Sequence, residues 1–255
     1  MIFFTRIYAQ QVKLADDLVY YPIAENIYLA IHSFPWPANS LVITGEDEIL
    51  FIDTPYNDEA SEKLIQHFNN GKNRKMIVIN THFHNDNLGG NNSFIEKGAV
   101  VYGSDVTVNM LETRGLGIGM LDMLKKNGLS KYYDYFKDVK LTPPNRIFDL
   151  QKGLLLDCCN DTVEVFFPGA GHSPDNVVVY LRKSRVLFAG CIVKSLNSKS
   201  LGNLGDAELT AWPESIEGII TKFPDAVIII PGHGETGDTR LLQHTLELLK
   251  GNEEY

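Results

Sequence analysis

The 255-residue chain carries 23 Lys and Arg against 32 Asp and Glu, a formal net charge of -9, with 44% hydrophobic and 22% charged residues. Such a balance fits a folded protein with a large core, and it argues against disorder and against a broad phosphate-neutralising face for a nucleic-acid partner. No apolar run approaches the ~20 residues that cross a bilayer, and three cysteines, two of them the neighbours Cys158 and Cys159, make no disulfide framework.

In chain order, the opening "MIFFTRIYAQQ" has a short apolar patch and little positive charge, and reads as a leader remnant running into an N-terminal arm that ends at residue 18. One domain is expected over 19–255. Short β-branched or aromatic runs between turn residues predict strands over 41–44, 49–53, 76–80, 99–102, 163–167, 177–181, 186–189 and 226–230. Helical apolar spacing predicts helices over 58–69, 205–223 and 238–250, and the stretch 114–140 reads as helix and loop lying over the surface. Both halves run strand, strand, helix, strand, which favours two mixed sheets packed face to face with helices on the outer faces, an α/β sandwich of αββα type.

The chemistry concentrates in "THFHNDNLGG" at 81–90. A strand running out into a loop presents alternate side chains to one side, so His82, His84 and Asp86 converge while Phe83 and Asn85 face away, and Gly89 and Gly90 let the backbone turn round an ion. Three later strands end in the same chemistry: "PGAGHSPDN" places His172, "FAGC" places Cys191 and "PGHGETGD" places His233. Ligand-type residues at strand ends beside Gly or Pro suit a site built on a rigid sheet. Six exceed one tetrahedral zinc and suit two open ones, divided as His82, His84 and His172 for one ion and Asp86, Cys191 and His233 for the other. His32, His67 and His244 are assigned to packing or surface roles, and so are Cys158 and Cys159.

With "THFHND", "GHSPDN", "GCIVKS", "LGNLGDA" and "PGHGETGD" in this order over residues 20–250, the chain resembles the metallo-β-lactamase superfamily, and within it the first subclass of class B, the two-zinc lactamases. Cysteine at 191, and Asn87 where a histidine follows the motif aspartate in relatives, point away from the thioester, lactone and phosphodiester hydrolases of the superfamily. His82 separates the chain from the one-zinc subclass. The six ligands separate it from a non-catalytic metal-binding scaffold.

The resemblance implies hydrolysis of the β-lactam ring amide by a zinc-activated hydroxide, the second zinc stabilising the anionic ring nitrogen. Two Zn2+ ions are the implied cofactors and a small β-lactam is the implied partner. The resemblance puts Lys194 on the substrate carboxylate and Asn203 on the carbonyl oxygen or carboxylate, with Asp86 and Asn203 counted as catalytic. It gives "SFPWPANS" as a substrate-covering hairpin in which Trp36 or Phe34 lies over an apolar substituent. Asp53 matches a buried aspartate that orients a metal histidine through its ring N–H, and Asp206 stands equally as orienting or turn residue. A monomer in the periplasm or outside the cell, acting on penicillins, cephalosporins and carbapenems, completes the expectation.

Overall fold

Two mixed sheets account for every strand among residues 10–252, the part of the chain that the computed structural model describes. The first sheet has eight strands in sequence order. β1 (Val12–Lys13), β2 (Leu18–Ala24), β3 (Ile27–Ser33), β4 (Pro37–Thr44) and β5 (Glu48–Ile52) pair antiparallel. β6 (Lys75–Ile79), β7 (Val100–Ser104) and β8 (Arg146–Phe148) continue it in parallel. The second sheet follows the order β13-β12-β11-β10-β9. Here β9 (Leu154–Cys158), β10 (Asp161–Phe166), β11 (Val178–Leu181) and β12 (Val186–Gly190) are antiparallel, and β13 (Ile228–Pro231) joins β12 in parallel.

Parallel pairing needs crossovers, and the crossovers are where the helices lie. α1 (Asp58–Asn69) links β5 to β6, α2 (Asn85–Leu88) and α3 (Asn91–Glu96) link β6 to β7, and α4 (Asp105–Arg114), α5 (Met120–Lys126) and α6 (Ser130–Phe136) link β7 to β8. α7 (Trp212–Lys222) links β12 to β13, and α8 (Arg240–Asn252) follows β13. The two-residue period of β5 shows how the layers close. Leu50 and Ile52 meet Val163, Val179 and Phe188 of the other sheet, whereas Ile49 and Phe51 meet Leu64 and Phe68 of α1 and Phe94 of α3. On the far side, Leu187 and Ile229 meet Ile216 and Ile219 of α7 and Leu242 of α8. This is the αββα sandwich that the strand order predicts.

α1 matches its predicted span because Asn57 is a strong N-cap: its side chain accepts from the Ala60 N–H at 2.9 Å, with Asp58 and Glu59 in the first turn. The helix expected over 205–223 begins only at Trp212, with Pro213 in its first turn, because 205–211 is turn. β1, β2, β3, β8 and β9 are additional strands. β9 escapes the period-2 signal because Leu155, on its outer face, is apolar yet 58% exposed. α4 is also additional, capped by Ser104, whose hydroxyl accepts from the Thr107 N–H. Residues 1–9, on which the expected leader remnant falls, lie outside the described residues. Within the expected arm, Val12 and Lys13 already pair with β2, and Leu18 is fully buried.

Phe51 stacks edge-on against Phe94 at 4.7 Å between the first sheet and its helices. Phe51→Ala is expected to cost about 3–5 kcal/mol in denaturant unfolding.

Candidate metal centre

Beyond Ile79 the chain leaves β6 and is pinned before it reaches the histidines. Asp53, fully buried at the end of β5, accepts from the Thr81 N–H at 2.7 Å and from the Thr81 hydroxyl at 2.8 Å. Asp53 therefore acts through Thr81 and does not touch a metal-site imidazole, contrary to the role expected for it. Burial pushes its carboxyl well up, opposed by the two Thr81 bonds.

The motif does not continue as alternating strand. His84 is the extended N-cap residue of α2, and Asp86 lies inside that helical turn. Convergence arises from the strand-to-helix turn, and Asn85, expected to face away, lines the cavity beside Asp86 with its buried Nδ2 lacking a partner among the described residues. Gly89 has ordinary helical φ of -60°, so it does not wrap an ion. It is glycine because a Cβ there would overlap the Tyr56 carbonyl.

Three histidines meet at one point. His82 Nε2 lies 3.0 Å from His84 Nδ1, which lies 3.1 Å from His172 Nε2. Beside them, His233 Nε2 is 3.0 Å and Cys191 Sγ is 3.7 Å from Asp86 Oδ2. The ligand atoms of Asp86, Cys191 and His233 all lie within 4.8 Å of one another, as do those of His82, His84 and Asp86, and those of His82, His172 and Cys191. Between the triads sits Asn87, whose Nδ2 donates to Asp86 Oδ1 at 3.0 Å and lies 3.2 Å from His82 Nε2. It leaves Asp86 Oδ2 facing His233 and Cys191.

The donor set fits cations. Burial drives His82 well below the ordinary imidazole pKa, helped by His84, and burial with nearby Lys194 does the same to His172. Both are neutral and their lone pairs are free to ligate. At the second triad burial raises the Asp86 carboxyl, but the hydrogen bond and charge of His233 outweigh it and hold it below the usual range. Burial, then the Asp86 charge, push the Cys191 thiol up, so a thiolate there needs a cation beside it.

Asp206 of the LGNLGDA stretch and Arg114, outside every motif, complete the centre. The His84 Nε2 edge, opposite its ligand atom, meets Asp206 Oδ2 at 3.1 Å. Asp206 in turn accepts from Arg114 at 2.7 Å and from the Ile118 N–H at 2.8 Å. Burial raises the Asp206 carboxyl, but His84, Arg114 and Ile118 bring it down to about 2. Asp206 is thus the orienting carboxylate; Arg114 carries no motif and could not be read from spacing.

A cavity of about 490 Å³ opens over both triads. Trp36, Leu116, Met120 and Met123 give it an apolar wall, and Lys194 and Asn203 line it elsewhere. Lys194 is buried with Nζ 5.3 Å from the Trp212 ring centre. One N–H of the Asn203 amide is committed to the Ile118 carbonyl at 3.0 Å, leaving the other. Phe34 is not in this wall; it packs on Tyr132 and Tyr135. His67 bonds the Tyr20 hydroxyl, His244 the Ser198 carbonyl and His32 Nδ1 the Tyr56 N–H, and none of the three lines the cavity.

Residues 33–233 match the metallo-beta-lactamase superfamily, and the chain belongs to that family. It is 34% identical to the metallo-beta-lactamase type 2 of Bacillus cereus over 84% of this chain and 73% of that one. With the protein of the same name from Bacteroides fragilis it is 28% identical over 98% and 92%. The solved metallo-beta-lactamase of Pontibacter korlensis superimposes with a TM-score of 0.74 at 29% identity, over 91% of this chain and 99% of that one.

Because Asp206 fixes the ring of His84, Asp206→Asn is expected to weaken the binding of added zinc about 10- to 100-fold. Competition against a chromogenic chelator reads this directly, and an unchanged affinity would contradict the orienting role.

Proposed function

We propose that this protein is a zinc metallo-hydrolase that opens the amide of β-lactam antibiotics, with residues 19–255 as one catalytic domain. The observation that carries the reading is the three-histidine cluster beside the Asp86, Cys191 and His233 group, on the floor of a cavity whose wall holds one buried lysine. The names of the Bacillus cereus and Bacteroides fragilis relatives support the same activity.

His82, His84 and His172 would hold one zinc ion, and Asp86, Cys191 and His233 the other. When bound, zinc supplies Lewis acidity and makes hydroxide available from water near pH 7. The chain's own residues do the rest. Lys194 presents an ammonium to the substrate carboxylate, and its burial strengthens that attraction, since few waters compete. Asn203 offers its remaining N–H to the lactam carbonyl or carboxylate. Trp36, on the apolar wall of the cavity, lies over the apolar substituent. A reach that includes carbapenems, a monomeric state and a periplasmic or secreted location belong to the same proposal. Among the described residues no helix is long and apolar enough to cross a membrane.

Purified protein is expected to hydrolyse a chromogenic cephalosporin, to lose activity to a chelator and to regain it with zinc; a zinc-loaded protein without turnover would sink the reading. Lys194→Ala should raise KM by roughly 10- to 100-fold, with kcat less affected, as loss of one charged hydrogen bond predicts. Cys191→Ser should weaken one of two zinc ions far more than the other in a metal titration, because thiolate is the softer and tighter ligand. Equal weakening would overturn the division of ligands.

A further inference from the structure

Cys158 and Cys159 stand well apart from the metal centre, at the hairpin between β9 and β10. Cys158 pairs with Asp161, so Cys159 and Asn160 are the two central residues of the turn, with φ of 54° and 61°. Positive φ at both positions defines a turn for which Asn and Gly are the ordinary choices, and a cysteine in the first place is held in a disfavoured conformation. That conformation brings the two sulfurs to 3.2 Å.

The sulfurs line a surface recess of about 450 Å³, with Glu48, Asp157 and Lys183 round it. The turn packs directly on the neighbouring hairpin: a Cβ on Gly45 would come within 2.9 Å of the Cys159 Cα. Cys159 Sγ also lies 3.4 Å from the Ile43 carbonyl. The pair is therefore clamped from the other sheet beside this recess, with Cys158 buried and Cys159 half-buried. The Cys158 thiol hydrogen bonds to Cys159 and lowers its pKa, so the half-buried sulfur is the more readily ionised one.

We propose that Cys158 and Cys159 form a chelating dithiol site for a soft, thiophilic centre, the trivalent arsenic of an organic arsenoxide being its simplest ligand. Soft thiolates select soft centres, and two of them preset at one recess bind without the ordering cost of bringing separate cysteines together. With an arsenoxide the arsenic–oxygen bond breaks and two arsenic–sulfur bonds form. Both thiol protons leave with the oxygen as water, and arsenic stays trivalent, so no oxidant or reductant is required.

The test treats zinc-loaded protein with phenylarsine oxide and reads native mass and free thiols. One adduct per chain is expected, resistant to excess monothiol and removed by a dithiol. Cys191→Ser should keep the adduct. Cys159→Asn, a residue suited to the turn's positive φ, should keep its fold and its cephalosporin hydrolysis yet lose the adduct. A wild-type chain without an adduct overturns the proposal. So does an adduct that persists in Cys159→Asn, or one lost in Cys191→Ser.

Discussion

Imidazole nitrogens held about 3 Å apart in a buried cluster are an arrangement that the rest of the molecule must enforce. Left to itself, a chain with His82, His84 and His172 would spread these rings into water, where each nitrogen finds a partner. Here His84 Nδ1 faces two other nitrogens at 3.0 and 3.1 Å, and one proton cannot serve both contacts. A cation at that point would serve them. The fold supplies the rigidity that makes the crowding hold, through Asp53 clamping Thr81 at one end of the motif and Asp206 gripping the far edge of His84 at the other.

The topology explains why such distant residues arrive together. β5, β6 and β7 are parallel, as are β12 and β13, so β5, β6, β12 and β13 deliver Asp53, the histidine motif, Cys191 and His233 at their C-terminal ends. Packing the two sheets face to face through Leu50, Ile52, Val179 and Phe188 then brings the ends of both sheets over one cavity. Each half supplies ligands to both triads, so neither half forms either metal site alone.

Much of this was legible in the sequence because the ligands follow strongly apolar strands whose ends are marked by Gly or Pro. The six residues that cluster at the cavity floor, the strands that carry them and α1 with its Asn57 cap could all be read from local pattern. What could not be read depends on contacts between distant segments. Arg114 looks like any surface arginine until α4 brings it to Asp206. Asp53 and Asp206 were indistinguishable as strand-end or turn aspartates, and only the packing shows that one holds the backbone and the other the ring. Asn85 was misplaced because alternation was extended through a point where the chain turns helical.

The link from Arg114 through Asp206 to His84 has a consequence for how this protein can change. The same segment, 114–123, supplies Leu116, Met120 and Met123 to the cavity wall and the Arg114 and Ile118 contacts to Asp206. Any change in that wall therefore also acts on how firmly Asp206 holds the ring of His84. The shape of the wall and the orientation of the His84 ring are thus tied to one segment, and neither can be altered without consequence for the other.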